Sequence, residues 1–140
     1  MNETLNDILD RHAGREGALL PILNDVQAAR GCVDNDAIRE IANALNLSRA
    51  EVYGVVSFYH DYRSTPAPHP VIKLCRAEAC QARGVEALLA NAQASARDRV
   101  EIEATYCLGL CSVGPAAMVG TEVHARLDSA GLSALIESVA

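Results

Sequence analysis

Four of the five cysteines in this chain lie in two short groups whose spacing suits a metal centre. Four residues separate Cys75 from Cys80, three separate Cys107 from Cys111, and 26 residues lie between the two pairs. Four thiolates in one site hold either an iron-sulfur cluster or a zinc ion. We therefore expect the two loops to close around one object.

The spacing separates the candidate chemistries only in part. Structural zinc sites and thioredoxin-type redox motifs usually have two residues between paired cysteines, and neither pair here does. A [2Fe-2S] cluster needs two thiolates for each iron, so each loop can serve one iron. The residues alone favour an iron-sulfur cluster and leave zinc and thiol-disulfide chemistry open. The fifth thiol, Cys32, lies outside both loops and is expected to pack as a small hydrophobic residue.

The first part of the chain has helical periodicity and predicts a small helical bundle over residues 1–62. Gly17–Arg30 places apolar residues on one helical face. Asp34 is positioned to cap the next helix, and Ser48 with Glu51 forms a capping box for a third. The opening residues are expected to form an acidic helix that faces water: Glu3, Asp7 and Asp10.

A change in composition separates this bundle from the rest. Pro66, Pro68 and Pro70 fall within five positions and predict a stiff, extended connector over residues 63–70. The second domain is then expected to span residues 71–140.

The periodicity of residues 71–140 predicts strands mixed with helices. The elements are a strand, a helix, a second strand, two hairpin strands and a final helix: Val71–Cys75, Gln81–Ala94, Val100–Thr105, Ala116–Val119, Glu122–Arg126 and a helix capped near Asp128. Strand, helix, strand implies a parallel pair, and Gly120-Thr121 suits a type II′ hairpin turn. Glu101 and Glu103 are expected on a solvated strand face. The predicted class is α+β, an N-terminal helical bundle followed by a thioredoxin-like βαββα domain with both cysteine loops beyond strand ends.

Charge and composition exclude several classes of function. A net charge of −6 without a basic block argues against nucleic acid or an anionic membrane as partner. No apolar run suits a signal peptide or a bilayer span, so we expect a cytoplasmic chain without direct membrane insertion. No G-x-G-x-x-G turn, P-loop or nucleophile–base pair is apparent, so we expect no substrate bond to be broken on this chain.

Several residues near the cysteines are candidates for tuning a bound cluster. Gly109 and Gly114 permit a positive φ that would turn amides toward sulfur, or are ordinary turn glycines. Cys80 lies near a predicted helix start, which favours anionic ligands. Arg76 is either a positive charge that raises the reduction potential or an exposed arginine. Pro115, at the entry of a strand, is a candidate for a cis bond, but trans is expected because most such bonds are trans.

The aromatic residues are concentrated before the connector. Phe58 and Tyr62 are expected to share a helical face, with Tyr59 and His60 beside them, as a partner-docking surface or as bundle core. The histidines have no spacing typical of a metal site: His12, His60, His69 and His124.

The text of both cysteine loops resembles one known family. Cys75-Arg-Ala-Glu-Ala-Cys80 and Cys107-Leu-Gly-Leu-Cys111-Ser-Val-Gly-Pro115 resemble the thioredoxin-like [2Fe-2S] ferredoxins. That family includes the 24 kDa subunit of respiratory complex I and equivalent subunits of NAD-linked hydrogenases and formate dehydrogenases. Ala18-Leu-Leu-Pro21-Ile-Leu resembles the helical segment that precedes the ferredoxin domain, and the resemblance extends over residues 17–140. Leu47–Arg63 and Cys75–Gly84 most resemble the γ subunits of soluble NAD-dependent formate dehydrogenases.

The resemblance implies a one-electron carrier that works inside a heteromeric complex. One [2Fe-2S] cluster is expected on four ligands, with one iron held by each loop: Cys75, Cys80, Cys107 and Cys111. FMN and NAD are expected on a partner flavoprotein subunit, alongside further iron-sulfur and catalytic subunits. A formate dehydrogenase is the first expectation, and complex I or an NAD-linked hydrogenase is the alternative. A zinc-stabilised adaptor is the alternative of a different class.

Overall fold

A computed structural model describes residues 3–140, which form two compact units that divide between Ala67 and Pro68. The division falls inside the proline-rich stretch. The proposed limits of the bundle, the connector and the second domain at 1–62, 63–70 and 71–140 stay a prediction.

The first unit contains four helices: α1 (Leu5–Arg11), α2 (Leu19–Arg30), α3 (Asn35–Ala44) and α4 (Arg49–Phe58). The predicted caps are confirmed, because Asp34 accepts the Ala37 N–H at 2.8 Å and Ser48 forms a capping box with Glu51. Helix α2 ends at Gly31, which has a φ of 71°. A left-handed residue at this position is the usual way to end a helix.

One apolar core holds the first unit together. Its fully buried large side chains come from all four helices and from the residue before the α3 cap: Ile8, Ile22, Leu23, Val26, Val33, Ile41 and Val52. Helix α1 exposes Asp7 and Asp10, as predicted, whereas Glu3 precedes the helix and is only partly exposed; the helix also buries Leu5 and Ile8. A capping box of Thr4 and Asp7, missed by sequence analysis, starts this helix.

The second unit is a four-stranded sheet with three helices. The strands are β1 (Val71–Cys75), β2 (Glu101–Thr105), β3 (Ala117–Val119) and β4 (Glu122–His124), in the order β2-β1-β3-β4. The predicted parallel pair is confirmed, since β1 runs parallel to β2, while β1 with β3 and β3 with β4 are antiparallel. The four strands are the two parallel strands and the two hairpin strands that were predicted, so the predicted α+β class is confirmed. Gly120 opens the hairpin turn with a φ of 56°.

The helix predicted over Gln81–Ala94 is two helices, α5 (Glu78–Ala82) and α6 (Val85–Ala96). Gly84, with a φ of 87°, separates them because a left-handed residue interrupts the helical hydrogen-bond ladder. Helix α7 (Ser129–Val139) begins after Asp128, which accepts the Gly131 N–H at 2.7 Å as the cap requires.

The core of the second unit lies between the sheet and its helices. Its fully buried members include Ile72, Leu74, Val85, Ala117, Leu132 and Ile136. Glu101 and Glu103 were expected on a solvent-exposed face of the second strand. This expectation is wrong, because both are half-buried and Ala104 is exposed. Strand β2 lies at the sheet edge, where neighbouring strands cover only one side. Within residues 3–140, none of the helices combines the length and apolar character needed to span a bilayer.

Candidate metal centre

The two cysteine pairs meet at one edge of the sheet. Cys75 ends β1 and Cys80 lies in α5, while Cys107 comes two residues after β2 and Cys111 begins a short 3-10 helix. Because β1 and β2 are parallel neighbours with Cys75 opposite Thr105, both loops leave the sheet side by side. Loops beyond the carboxyl ends of parallel strands commonly form binding sites.

Short contacts bring the four sulfurs together as two pairs. The Cys107 and Cys111 Sγ atoms are 3.6 Å apart, and the Cys75 and Cys80 thiols are in hydrogen-bonding contact. The Cys107 N–H donates to the Cys75 Sγ at 3.3 Å, so the second loop contacts the first. Among residues 3–140, no three His, Cys, Asp or Glu side chains are grouped to hold a single metal ion.

The backbone around Cys75 favours a thiolate. Burial opposes ionisation of this thiol, but N–H donation from Ala77, Cys107 and Leu108, with the Cys80 side chain, lowers the pKa of Cys75 below its ordinary value. Hydrogen bonds to the charged form stabilise it. A thiolate is the form that binds metal.

The other two perturbed thiols are shifted the opposite way. Burial and then the neighbouring Cys75 thiol raise the pKa of Cys80, although the Ala116 N–H donates to it. The Cys107 thiol raises the pKa of Cys111. Like charges this close disfavour one another, and cations between the sulfurs would relieve the repulsion.

The glycines of the second loop have different roles. Gly109 has a φ of 77°, as expected, but the expectation for Gly114 is wrong, since its φ is −65°. Gly114 is instead required for space, because a Cβ there would lie 3.0 Å from the Cys80 Sγ. Cys107 adopts a φ of 76°, which nothing in the sequence indicated, and the Gly114–Pro115 bond is cis and not trans.

The two pairs differ in exposure. Cys75 and Cys80 are each 2% exposed, whereas Cys107 and Cys111 are open to solvent. Tyr106, which precedes Cys107, is 70% exposed. The site therefore has an inner pair beneath the loops and an outer pair at the surface.

Two arginines lie near the cysteines, and sequence analysis considered only Arg76. Arg76 donates to both carboxylate oxygens of Glu86, at 2.9 and 2.8 Å, so its charge is already balanced. Arg83 donates from Nη2 to the Ser112 carbonyl at 3.1 Å and so connects the two cysteine loops. Its position three residues after Cys80 was the only available signal.

Cys80 was expected near the start of a long helix, and this expectation is wrong. It lies within the five-residue α5, and the amide at the start of that helix, from Ala77, donates to Cys75 instead. Cys32 is buried in the first unit, as predicted for a packed small residue.

The aromatic residues are arranged differently from the expectation. Helix α4 ends at Phe58, so Phe58 and Tyr62 do not share a helical face. Phe58 is 74% exposed and Tyr59 is partly exposed, with ring centroids 5.0 Å apart, and Tyr62 is 6.0 Å from Tyr59. The Tyr62 hydroxyl donates to Asn24 Oδ1 at 2.7 Å, which connects this group of aromatic side chains to α2.

The histidines do not join the cysteine site. His12 is buried in the first unit, with Nε2 2.6 Å from the Asp25 Oδ2. His124 lies on β4, with its Nε2 buried and unpartnered in the described residues.

This donor set fits a [2Fe-2S] cluster. Two thiolate pairs would supply the two ligands that each iron needs, and backbone amides are directed at the inner sulfurs. Hydrogen bonds to ligand sulfurs are a regular feature of such sites.

Comparison with known proteins gives the same result. Residues 5–140 match the model of the thioredoxin-like [2Fe-2S] ferredoxin family. A subunit of the NADH-quinone oxidoreductase of Rhizobium meliloti is 29% identical, over 99% of this chain and 88% of the relative. The corresponding NADH-quinone oxidoreductase subunit of Salmonella typhimurium is 30% identical, over 86% of this chain and 78% of the relative.

A solved structure shares the fold. The crystal structure of an NAD+-reducing [NiFe]-hydrogenase in the H2-reduced state matches with a TM-score of 0.74 and 30% identity, over 87% of this chain. The match covers 22% of that hydrogenase chain, so this chain spans about a fifth of its length. With a family model that matches nearly the whole sequence, the chain belongs to the thioredoxin-like [2Fe-2S] ferredoxin family, whose members carry one [2Fe-2S] cluster.

Proposed function

We propose that this chain is the electron-transfer subunit of an NAD-dependent formate dehydrogenase, in which one [2Fe-2S] cluster exchanges single electrons with the FMN of a partner flavoprotein. Cys75 and Cys80 bind one iron, and Cys107 and Cys111 bind the other. The observation that carries the proposal is the meeting of two thiol pairs beneath loops that direct amides at the inner sulfurs.

The residues of the site have separate tasks in this proposal. When bound, a [2Fe-2S] cluster accepts and releases one electron at a time. The amides of Ala77, Cys107 and Leu108 stabilise negative charge on Cys75. The surface position of Cys107 and Cys111 provides the edge at which a partner approaches.

The identity of the complex rests on resemblance and on relatives. The sequences Leu47–Arg63 and Cys75–Gly84 resemble the γ subunits of formate dehydrogenases. The relatives named as subunits of NADH-quinone oxidoreductases, and the matching hydrogenase, support a complex that handles NAD and make such complexes the second candidate. The family match disfavours the zinc-stabilised adaptor.

Co-purification tests this proposal. A tagged copy of the chain, expressed in its source organism, is expected to retain an FMN-containing flavoprotein and a formate-oxidising subunit. The isolated complex should reduce NAD with formate. Recovery of quinone-reductase or hydrogenase subunits in their place would move the assignment to the second candidate, and recovery of no flavoprotein would contradict both.

The exposed aromatic residues at the end of α4 support a docking surface for the flavoprotein. Phe58 and Tyr59 form an edge-to-face pair, and the two side chains are 74% and 42% exposed. Exposed aromatic residues are frequent anchors of interfaces.

A pair of variants tests this docking role. Phe58→Ala should weaken co-purification with the flavoprotein at least about tenfold, the loss typical of an anchor residue. Tyr53→Ala is the control, because Tyr53 is exposed on α4 but lies about 140° around the helix from Phe58. Equal retention of the flavoprotein by both variants, or by a chain truncated before Arg63, would contradict the docking role.

A further inference from the structure

Arg83 occupies a fixed position between the two cysteine loops. It follows α5, and its backbone N–H donates to the Cys80 carbonyl at 3.2 Å. Gly84, with its left-handed φ, then turns the chain into α6. The backbone of Arg83 is therefore held in place directly beside the first cysteine loop.

The side chain of Arg83 crosses to the second loop. Its Nη2 donates to the carbonyl oxygen of Ser112, the residue after Cys111, at 3.1 Å. Its Cδ lies 3.5 Å from the position that a Cβ of Gly114 would take, and that position is 3.0 Å from the Cys80 Sγ. The arginine thus packs along the glycine that separates it from an inner thiol.

The charge of Arg83 is not balanced by a carboxylate. Among residues 3–140 it forms no ion pair, whereas Arg76 is neutralised by Glu86 and Arg99 by Glu137. Four thiolates around two ferric ions and two sulfides make a negative centre that becomes more negative on reduction. A nearby positive charge therefore favours the reduced form.

We propose that Arg83 is a positioning residue of the cluster site, which ties the second cysteine loop to the first and raises the reduction potential of the bound cluster. This inference rests on the proposed ligand set. Arg76 and Arg99 differ from Arg83 in this unit, because the charge of each is already balanced by a carboxylate.

Three variants distinguish the role of Arg83 in connecting the two loops from the effect of its charge. Arg83→Gln removes the charge and keeps an amide donor, and Arg83→Lys keeps the charge and loses the planar guanidinium. Arg99→Gln is the control with the same loss of charge. Arg99 lies before β2, and the cysteine loops follow that strand's other end, roughly 16 Å away at the rise of an extended strand.

The readouts are the midpoint potential, from dye-coupled titration of the reconstituted full-length protein, and the rate of cluster loss to a chelator. Arg83→Gln should shift the reduction equilibrium about two- to fivefold toward the oxidised form, and the shift should shrink at high salt, as for an exposed charge. Arg83→Lys should keep the wild-type potential but lose its cluster faster. Arg99→Gln should match wild type in both.

The outcomes distinguish this inference from the proposed function. A wild-type protein that binds no iron with labile sulfide would overturn both. A cluster-containing wild type whose Arg83→Gln variant has the potential and the chelator sensitivity of Arg99→Gln would overturn only the role of Arg83.

Discussion

Gly114 has no room for a side chain beside the Cys80 thiol, which makes it a sensitive test of the site at the scale of one residue. Gly114→Ala would place a methyl group 3.0 Å from the Cys80 Sγ, and relief requires one of the loops to move. We expect this variant to bind less iron per chain, with a cost of about 1–3 kcal/mol from overpacking. Iron analysis and visible absorption measure the loss.

Gly54→Ala is the matched control for this prediction. Gly54 is exposed on α4, where an added Cβ meets nothing within 4 Å. The control should bind iron as wild type does and gain about 0.5–1 kcal/mol of stability from the better helix former. A Gly114→Ala protein with the full iron content and unchanged cluster lifetime would show that the loops are not tightly packed there.

At this scale the sequence predicted the cysteines' convergence but not their surroundings. The parallel strands that bring the loops together follow from periodicity, and the positive φ of Gly109 follows from its being glycine. The sequence does not show which of the two arginines near the cysteines has its charge balanced by a carboxylate. Arg76 meets Glu86 ten residues later, near the start of α6, and that contact is set by tertiary packing.

Contacts between helices α1 and α2 give a prediction at the scale of elements. Asp25 on α2 accepts from the His12 ring and from Arg11, which also pairs with Glu3. The hydrogen bond with His12, followed by that with Arg11, lowers the pKa of the Asp25 carboxyl. A depressed pKa in the folded state adds stability above the unfolded pKa of about 4, and this stability is lost as the pH falls through the folded value.

Asp25→Asn should therefore destabilise the first unit at pH 7 by roughly 0.5–1 kcal/mol, since the carboxylate is partly exposed. The gap from wild type should narrow as the pH is lowered below about 4. Urea unfolding at both pH values measures it, with Asp10→Asn on α1 as control. A gap that stays the same in acid would mean that charge on Asp25 contributes nothing.

The starts of α3 and α4 were more predictable than the break between α5 and α6, although the capping box that starts α1 was missed. Asp34 and Ser48 with Glu51 act within three residues, so their hydrogen bonds follow from the local sequence. The break between α5 and α6 depends on Gly84 adopting a left-handed conformation, which glycine permits but does not require. Tyr62 was placed on the wrong element because α4 stops at Phe58.

At the scale of the whole molecule, the chain divides into two units with separate cores, and only the second contains the cysteine loops. Removal of the cluster by a chelator should therefore destabilise the second unit selectively, because metal binding contributes to folding free energy. We expect amides of β1 and β2 to exchange with deuterium at least about tenfold faster without the cluster. Amides of α2 and α3 in the first unit should keep their protection.

Hydrogen exchange followed by peptide mass spectrometry measures both units in one sample. Peptides of the first unit are the internal control. The same loss of protection in both units, or no loss in either unit, would contradict a cluster that stabilises only its own unit.

The sequence alone supported the family at this scale, because the resemblance carried by the cysteine loops and by the helical segment before them extends over residues 17–140. It did not determine the parent enzyme. The choice among formate dehydrogenase, quinone reductase and hydrogenase depends on other polypeptides, and an exposed side chain such as Phe58 does not distinguish among them.

The most direct test of the central claim is the iron and acid-labile sulfide content of the reconstituted protein, measured together with its EPR spectrum after reduction. Two irons and two sulfides per chain, with the signal of a one-electron-reduced diiron cluster, are the predicted result. One zinc per chain without sulfide, or iron without such a signal, would contradict the account.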